Sequence, residues 1–408
     1  MKFMHLADLH IGKNVNGFSM LDEQRHVFKQ ILEHIKIEHL DAVIIAGDVY
    51  DRAVPGVDAV RVFDDFLTEL ADADVAVLLI SGNHDSPERL NYASRLLSDK
   101  RIFMCGTFDG EPRKIVLSDD YGEVNFWLLP FIKPSYLHGI KMPDGCENKI
   151  DSYSDAVSAA IYSIKTADST IIDYNSRNVL VSHQFYIKSG TTPLRSESEL
   201  SPVGGLDAVE CDMLAPFDYV ALGHLHGAQK VGSENIRYAG SPVKYSFSEC
   251  RQVKSATIVE LCEKGNLSIS AIPLEPIHDM REIRGEIEKL MSDVVSERED
   301  IKEREDYLRV ILTNEEEIID PMGKIRSVYP NVMALDFENS RTVIDISDIS
   351  NISQTSAGSR QSGQSGQTEQ LSPYELFSEF FLDMNGSVMS EEQAGIIRNI
   401  LDSSGLNN

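Results

Sequence analysis

The most informative residues of this 408-residue chain are aspartates, histidines and one asparagine that follow apolar, strand-like runs. Each run is rich in residues typical of a buried β-strand and ends in side chains that bind metals in proteins. The carboxyl ends of strands in an α/β sheet open into one crevice, so we expect these side chains to converge there. Five segments share this design: 3–10, 43–48, 78–85, 179–183 and 220–226.

The spacing within these segments supports convergence. In an extended chain Asp8 and His10 point to the same side, as do His224 and His226, because side chains alternate with period two. Glycines permit a sharp turn of the backbone just before several of the candidate ligands. These glycines are Gly47, Gly82 and Gly223.

The candidate ligands combine nitrogen and oxygen donors and include no thiolate, which suits manganese, iron or magnesium-like ions better than structural zinc. An aspartate placed between two such groups can bridge two ions about 4 Å apart, the arrangement used in phosphoryl displacement. Asp48 is our candidate bridge. The full set of candidate ligands is Asp8, His10, Asp48, Asn83, His183, His224 and His226.

Two further residues are candidates for catalysis rather than metal binding. His84 follows a candidate ligand directly and could act as the general acid that protonates the departing oxygen. Asp51 could orient and charge it, because a carboxylate bonded to histidine fixes the ring and raises its pKa. Arg52 and Arg89 are candidate phosphate or DNA contacts, and for Arg52 a role as an ordinary surface arginine stays open.

The elements that must position these residues alternate between helix and strand up to about residue 270, the pattern of a layered α/β domain. Apolar residues at helical spacing predict helices over 21–39 and 57–70. Apolar β-rich runs predict strands at 41–46, 75–80, 126–129, 179–182 and 219–222, and a closing hairpin of 258–261 with 267–272. We therefore expect a first domain over residues 1–272.

The remaining chain predicts three smaller parts. A compact α+β unit over 273–346 should contain a helix at 280–295, a strand at 308–312, a helix near 318–328 and a strand at 332–337. The Ser, Gln and Gly composition of 347–371 is typical of a flexible linker. Two helices over 372–402 carry apolar faces that either dock on another protein or fold back onto the main domain.

Composition limits the possible functions. The formal net charge of −27 argues against DNA binding over the whole surface, although two divalent ions and a partner could supply a positive field. The five cysteines are widely scattered and include no C-x-x-C pair of the kind that would suggest zinc binding or redox chemistry. The start of the chain has no secretory pattern and no apolar run could span a bilayer, so we expect a cytoplasmic protein and no membrane partner.

The ordered set of motifs resembles the calcineurin-like metallophosphoesterases and, among them, the bacterial double-strand-break nuclease subunits of the SbcD type. The resemblance is strong over residues 1–270 and rests on layout beyond them. Archaeal and eukaryotic relatives often have histidine at the position of Asp51, whereas the protein phosphatases of the superfamily have aspartate there. The aspartate in this sequence therefore favours a pairing of Asp51 with His84 and not a second catalytic histidine. The motifs are GNHDSPERL at 82–90, SHQF at 182–185, YVALGHLH at 219–226 and YAGSPVKYSFSE at 238–249.

The resemblance implies a two-sheet metallophosphoesterase core with two divalent ions, Mn²⁺ or alternatively Mg²⁺, and a hydroxide mechanism. One ion would take Asp8, His10, Asp48 and His226, and the second Asp48, Asn83, His183 and His224.

It also implies an exonuclease on double-stranded DNA ends and an endonuclease on single strands and hairpins, acting in DNA repair, recombination and replication. The 273–346 unit would be a capping domain for DNA recognition. The C-terminal helices would bind an SbcC-type ATPase, with a homodimer inside a heterotetramer. Alternatives are a phosphatase or cyclic phosphodiesterase of the same superfamily, or an inactive scaffold for the ATPase.

Overall fold

The structure is a computed structural model that describes residues 1–137, 150–166, 172–191, 193–199, 208–295, 301–339, 389–404 and five residues between 373 and 381. The chain forms two compact units, Met1–Arg281 and Glu282–Asn408. The predicted linker over 347–371 lies outside the described residues.

The first unit contains sixteen strands and five α-helices among its described residues. The strands are β1 (Lys2–Leu6), β2 (Asn14–Val15), β3 (Phe18–Ser19), β4 (Ala42–Ala46), β5 (Ala76–Ile80), β6 (Ile102–Cys105), β7 (Arg113–Asp119), β8 (Gly122–Leu129), β9 (Arg177–His183), β10 (Tyr186–Ile187), β11 (Val209–Glu210), β12 (Tyr219–Gly223), β13 (Gln229–Val231), β14 (Ser233–Tyr238), β15 (Ser255–Leu261) and β16 (Leu267–Pro273). The helices are α1 (Leu21–Glu38), α2 (Val57–Asp72), α3 (Pro87–Leu90), α4 (Ser94–Leu97) and α5 (Tyr153–Thr166).

Two six-stranded sheets form the centre of this unit. The first has the order β16-β15-β1-β4-β5-β6 and the second β13-β14-β12-β9-β8-β7. Strands β1, β4, β5 and β6 are parallel to one another, as are β8, β9, β12 and β14. The remaining strands β7, β13, β15 and β16 pair with their neighbours in antiparallel orientation. The predicted layered α/β core is therefore confirmed.

Apolar side chains from both sheets share one buried cluster, which includes Phe3, Leu78, Phe126 and Val179. The rings of Phe3 and Phe126 meet edge to face with centroids 5.7 Å apart. This contact joins β1 of the first sheet to β8 of the second. The two sheets are therefore packed face to face, which brings their strand ends to a common edge.

Helices cover the outer faces of the sheets. The ring of Phe28 in α1 stacks on Phe66 in α2 with centroids 4.4 Å apart, and α2 packs against β5. On the other side, Ile161 and Ile164 of α5 join Trp127 in a second buried cluster. The amphipathic periodicity that predicts α1 and α2 thus reflects burial of one face of each helix against its neighbours.

The second unit contains a small α+β fold. Its described elements are β17 (Met280–Gly285), α6 (Ile287–Val295), α7 (Ile301–Arg304), β18 (Tyr307–Leu312), α8 (Pro321–Arg326), β19 (Val332–Phe337) and α9 (Glu391–Ser404). The order of its sheet is β17-β18-β19, with β18 and β19 parallel. Leu308, Val310 and Ile325 lie in its buried cluster.

The predicted helix over 280–295 is wrong in its first half, where the chain forms β17. Arg309 of β18 explains the difference, because it pairs with Glu282 of β17 at 3.2 Å and with Asp336 of β19 at 2.6 Å. These cross-strand ion pairs favour the sheet. They join residues that are 27 positions apart, which local periodicity does not detect.

The predicted C-terminal helices are described in part. Tyr374, Phe377 and Phe381 are helical, and the second helix is α9. The guanidinium of Arg398 in α9 lies 4.7 Å from the centroid of the Tyr374 ring, so the two helical segments contact each other. No helix in the described part of the chain is both long enough and apolar enough to cross a membrane.

Candidate metal centre

The predicted ligands lie together at the carboxyl ends of five strands. Asp8 follows β1, Asp48 follows β4 and Asn83 follows β5, whereas His183 ends β9 and His224 follows β12. Three of these strands belong to the first sheet and two to the second. The face-to-face packing of the sheets therefore brings together residues that are up to 216 positions apart.

The backbone is unusual at these positions. Asp8, His10, Asp48 and His224 all have positive φ angles, of 54°, 43°, 50° and 112°. Such conformations are costly for residues other than glycine and cluster at functional sites. The backbone therefore adopts energetically unfavourable φ angles at this edge, and these angles set the directions of the candidate ligand side chains.

Gly47 shows why small residues precede the ligands. Its φ is 89°, and a Cβ atom added to it would collide with the ring of His183. A Cβ atom on Gly82 would collide with Asp48 in the same way. The glycines therefore permit close approach between loops of the two sheets as well as the predicted turns.

Asp48 lies between two groups of ligands. Its Oδ2 atom is 3.6 Å from Nε2 of His10 and 3.4 Å from Nε2 of His183. Its Oδ1 atom accepts a 2.8 Å hydrogen bond from the main-chain N–H of His84. One oxygen is thus held by the backbone while the other faces both groups, as a bridging carboxylate requires.

The first group contains His10, His226 and Asp8. The Nε2 atoms of His10 and His226 are 3.1 Å apart. Ligand atoms of these two residues and of Asp8 lie within 4.8 Å of one another. Both Asp8 oxygens also accept the main-chain N–H of His224, at 2.9 and 3.1 Å.

The second group surrounds Asn83. Its Oδ1 atom lies 3.0 Å from Nε2 of His183 and 3.0 Å from Nδ1 of His224. The Nδ1–H of His183 donates to the carbonyl of Ala46 at 2.8 Å, which leaves Nε2 with a lone pair in the neutral ring. That lone pair faces oxygens of Asn83 and Asp48, so a proton or a cation must lie among them. The donor set therefore fits a divalent ion.

The pKa values agree with this requirement. Burial alone would lower the pKa of His183, but the Asp48 carboxylate raises it to about 9. Burial would raise the pKa of Asp48, and His183 and His10 instead hold it well below its usual range. The pKa of Asp8 is raised well above its usual range, chiefly by burial. Without metal, protonated His183 supplies the positive charge that the buried Asp48 carboxylate needs.

Two further imidazoles of the centre, those of His10 and His224, are neutral. Burial lowers the pKa of His10 well below its ordinary value, and burial together with the charge on His183 lowers the pKa of His224 to about 3. Neutral imidazole is the form of histidine that binds metals. These rings are therefore ready to accept an ion.

His84 is held beside the first group. Its ring meets the His10 ring edge to face with centroids 4.8 Å apart. Its Nδ1 lies 3.0 Å from the main-chain carbonyl of Asp51. Because a carbonyl only accepts, Nδ1 carries the hydrogen, and Nε2 is left for the site.

The expected contact between His84 and the Asp51 carboxylate is replaced by this carbonyl contact. The carboxylate instead accepts a 2.8 Å hydrogen bond from Nζ of Lys13 and lies 3.9 Å from Nδ1 of His10. The turn after β4 thus presents the carbonyl of Asp51 to His84, while the carboxylate lies near Lys13 and His10. Spacing alone shows that the residues are near each other and leaves the contacting atom open.

The two predicted arginines lie near this loop. Arg52 is 78% exposed, with Nε 3.5 Å from Asp51. Arg89 in α3 is exposed and donates to the carbonyl of Ala53 at 3.3 Å. Both are accessible, and neither contacts a candidate ligand through an observed hydrogen bond.

The side chains that support His226 were not predicted from the sequence. Its Nδ1 lies 2.7 Å from the hydroxyl of Ser198, which donates to Glu249 at 2.6 Å. Buried Lys254 then binds Glu249 at 2.6 Å and the carbonyl of His226 at 2.9 Å. Burial would raise the pKa of Glu249, but His226 and Lys254 lower it well below its usual range. This chain of contacts fixes the ring with Nε2 toward the site.

Glu199 adds a second contact to the same histidine. Its Oε1 atom accepts the main-chain N–H of His226 at 2.7 Å. Its Oε2 atom is buried and has no hydrogen-bond partner among the described residues. A buried carboxylate oxygen of this kind suits a site that receives a cation or its water.

Asp85 lies within the motif at 82–90 and has a structural role that the motif alone does not reveal. Its carboxylate accepts main-chain N–H groups from Val49, Tyr50 and Gly82 at 2.9–3.1 Å, which ties the loop after β4 to the loop after β5. Burial, and then the charge on Asp48, raise the pKa of Asp85 to about 6 despite these bonds. The sequence feature that points to Asp85 is its position directly after Asn83 and His84.

Comparisons with known proteins identify the family of the chain. Residues 1–228 match the family model described as calcineurin-like phosphoesterase, and residues 276–385 match one described as type 5 capsule protein repressor C-terminal domain. The chain is 32% identical over 336 residues to the SbcD protein of the SbcCD nuclease from Staphylococcus epidermidis, covering 82% of this chain and 85% of that protein. It is 31% identical over 338 residues to the protein of the same name from Staphylococcus saprophyticus, covering 82% and 84%. The chain therefore belongs to the calcineurin-like phosphoesterase family and, within it, to the SbcD subunits of SbcCD nucleases.

Proposed function

We propose that this chain cuts DNA phosphodiester bonds at a site that holds two divalent ions, as an exonuclease on duplex ends and an endonuclease on single strands and hairpins. The observation that carries the proposal is the position of Asp48, with one carboxylate oxygen 3.4–3.6 Å from imidazoles of both ligand groups. Two ions bound there would activate water and neutralise charge on a phosphate.

The ligand groups indicate how the ions would be shared. Asp8, His10 and His226 would hold one ion, Asn83, His183 and His224 would hold the other, and Asp48 would contact both. The abundance of imidazole favours Mn²⁺ over Mg²⁺, because Mg²⁺ prefers oxygen ligands. Equilibrium dialysis against each metal would test this preference, and stronger retention of Mg²⁺ than of Mn²⁺ would reverse it.

His84 is the proposed general acid. Its Nδ1–H is bound to the carbonyl of Asp51 at 3.0 Å, so Nε2 can carry a proton toward the departing oxygen. We assign Asp51 a positioning role through its backbone, and its carboxylate a contact with Lys13 near His10. Arg52 and Arg89 lie near the His84 loop, where exposed guanidinium groups can bind phosphate.

The remainder of the chain fits an assembly. The 273–346 unit is proposed to cap the catalytic domain and to recognise DNA. The C-terminal helices are proposed to bind an SbcC-type ATPase, and Ile396 and Ile400 in α9 are 53% and 55% exposed, as a docking helix requires. We place the complex in the cytoplasm, on nucleoid DNA.

An apolar surface near the site supports a homodimer within this assembly. Pro55, Val60, Tyr92 and Leu97 line one cavity there, and Tyr92 and the neighbouring residue Leu96 are 82% and 75% exposed. Apolar patches, unlike single exposed apolar residues, mark interaction sites. A two-fold dimer buries the same patch on both subunits. Leu96→Glu should convert a dimer to monomers in analytical ultracentrifugation. A wild-type monomer at micromolar concentration, or a variant that is still dimeric, would contradict this arrangement.

The function is tested with linear duplex and hairpin DNA in Mn²⁺ or Mg²⁺, with and without the ATPase. We expect metal-dependent cleavage of both substrates that the ATPase stimulates. Hydrolysis of phosphomonoesters with no cleavage of DNA would favour a phosphatase instead. An inactive chain that still binds the ATPase would indicate a scaffold.

A further inference from the structure

Two positive side chains flank the His183–His224 half of the centre, each across an aromatic ring from a candidate ligand. The rings of these two histidines meet edge to face with centroids 5.5 Å apart. Phe131 lies beside His183, with centroids 6.3 Å apart. Phe185 lies beside His224, with centroids 6.1 Å apart. Each histidine thus has its own aromatic neighbour.

Each of these rings supports a cation. Nζ of Lys133 lies 5.8 Å from the centroid of Phe131, and the guanidinium of Arg195 lies 3.6 Å from the centroid of Phe185. Both distances are within the range of cation–π attraction, which is about 6 Å. The repeated order of histidine, aromatic ring and cation associates one positive charge with each histidine of this ligand group.

The backbone on both sides is anchored to the sheets. The main-chain N–H of Phe131 donates to the carbonyl of Ser81 at 2.9 Å, beside the loop that carries Asn83. Leu194, next to Arg195, exchanges two hydrogen bonds with the side chain of Gln229, at 3.0 and 2.8 Å. The backbone near Lys133 and Arg195 is therefore held in place against the sheets.

The charges make this placement informative. The chain has 65 acidic and 38 basic residues, yet two basic residues lie beside a site suited to divalent cations. These positive charges repel divalent ions bound at the centre, and the repulsion is relieved when an anion lies between them. Among the described residues, no carboxylate lies within ion-pair distance of Lys133. A polyanion is the ligand that this arrangement fits.

We propose that Lys133 and Arg195 bind the DNA phosphates that flank the scissile phosphate on the His183–His224 side of the centre. The inference rests on the proposed function for its choice of polyanion. Bound there, the two side chains would hold the strand in register with the ions, while the ions and His84 act on the scissile phosphate.

The test compares Lys133→Gln, Arg195→Gln and the double variant of the full chain with wild type. The matched control is Lys114→Gln, whose Nζ lies 5.2 Å from the Trp127 centroid inside β8, where no candidate ligand adjoins the ring. Fluorescence anisotropy measures binding of a phosphorothioate DNA oligonucleotide with Mn²⁺ at several salt concentrations. Titration calorimetry measures Mn²⁺ affinity separately.

Each single variant should weaken DNA binding on the order of tenfold, the usual effect of losing a charged hydrogen bond. The slope of log affinity against log salt should fall by about 0.7–0.9 for each lost phosphate contact. The control should match wild type. Mn²⁺ affinity of all variants should stay within about threefold of wild type, because none removes a ligand.

Unchanged DNA affinity and salt slope in the double variant would overturn the inference. Loss of Mn²⁺ binding in parallel with DNA binding would also overturn it, by showing that the cations only support the ligands. The proposed function fails by a different result, a wild-type chain that cleaves no DNA with Mn²⁺. Since binding is measured without cleavage, the two failures are distinguishable.

Discussion

Replacement of His84 by glutamine is the change for which the structure makes the sharpest prediction. The Nδ1–H of His84 is occupied by the Asp51 carbonyl at 3.0 Å, which directs Nε2 to the site. Glutamine keeps a polar side chain of similar reach but has no group that can donate a proton as an acid. The variant therefore removes proton transfer and leaves much of the packing.

The expected loss follows from the size of general acid catalysis. Such groups contribute about 10²- to 10⁴-fold, equivalent to about 3–5 kcal/mol of barrier at 1.36 kcal/mol for each factor of ten. Metal binding should survive, because Asp48 is held by the main-chain N–H of residue 84 at 2.8 Å, which glutamine retains. We expect Mn²⁺ affinity within about threefold of wild type.

The assay compares two substrates that differ in their leaving group. A DNA strand leaves as an alkoxide that needs a proton, whereas a nitrophenolate leaves readily without one. His84→Gln should therefore reduce kcat on DNA by at least about 100-fold and on a nitrophenyl phosphodiester by less than about tenfold. An equal loss on both substrates would refute the role as an acid. Loss of Mn²⁺ binding would show instead that His84 supports the ligands.

Three further predictions concern the groups around the centre. Asp51→Asn keeps the carbonyl that holds His84, so DNA cleavage should fall less than about tenfold, and a loss equal to that of His84→Gln would implicate the carboxylate. Glu249→Gln leaves Lys254 as an unpaired buried charge, so calorimetry should show a loss of about 3–5 kcal/mol in unfolding free energy. The Mn²⁺ affinity should also fall by about 10- to 100-fold, because Glu249 helps to hold His226. Wild-type values of both quantities would contradict this supporting role of Glu249. The pKa of His183 is raised to about 9, and its proton must leave before an ion binds. Titration calorimetry should therefore show that Mn²⁺ affinity rises between pH 6 and 8, by about tenfold per pH unit for each displaced proton. An affinity that does not change with pH would contradict the displacement of a proton from His183.

Much of the fold could be predicted because its core strands are buried on both faces. Strands such as β4, β5 and β12 consist of continuous apolar residues, and every residue of each is buried. Such runs are visible in the sequence without knowledge of their neighbours. The convergence of the candidate ligands could be predicted for the same reason, since each lies at or after the end of a run whose direction in the sheet is fixed by the parallel order.

The parts that could not be predicted depend on distant partners. Ser198 and Glu249 are 51 positions apart and meet at His226, and no local pattern marks Ser198 as a partner. The choice between the carbonyl and the carboxylate of Asp51 depends on a turn geometry that spacing does not define. Strand β17 likewise depends on ion pairs with residues that follow much later in the chain.

The acidic composition also has a local explanation in the structure. A net charge of −27 opposes binding of DNA over the whole surface, but the proposed phosphate contacts lie near the candidate metal ligands. Lys133 and Arg195 are held on aromatic rings beside candidate ligands. Affinity for DNA can therefore come from the ions and a few fixed cations rather than from a basic surface.

The proposed role of Asp48 is to join two ions in one centre. Anomalous diffraction from crystals grown with Mn²⁺ tests this role most directly. We expect two manganese peaks about 4 Å apart, with the Asp48 carboxylate in contact with both. One peak, or two peaks that Asp48 does not link, would contradict it.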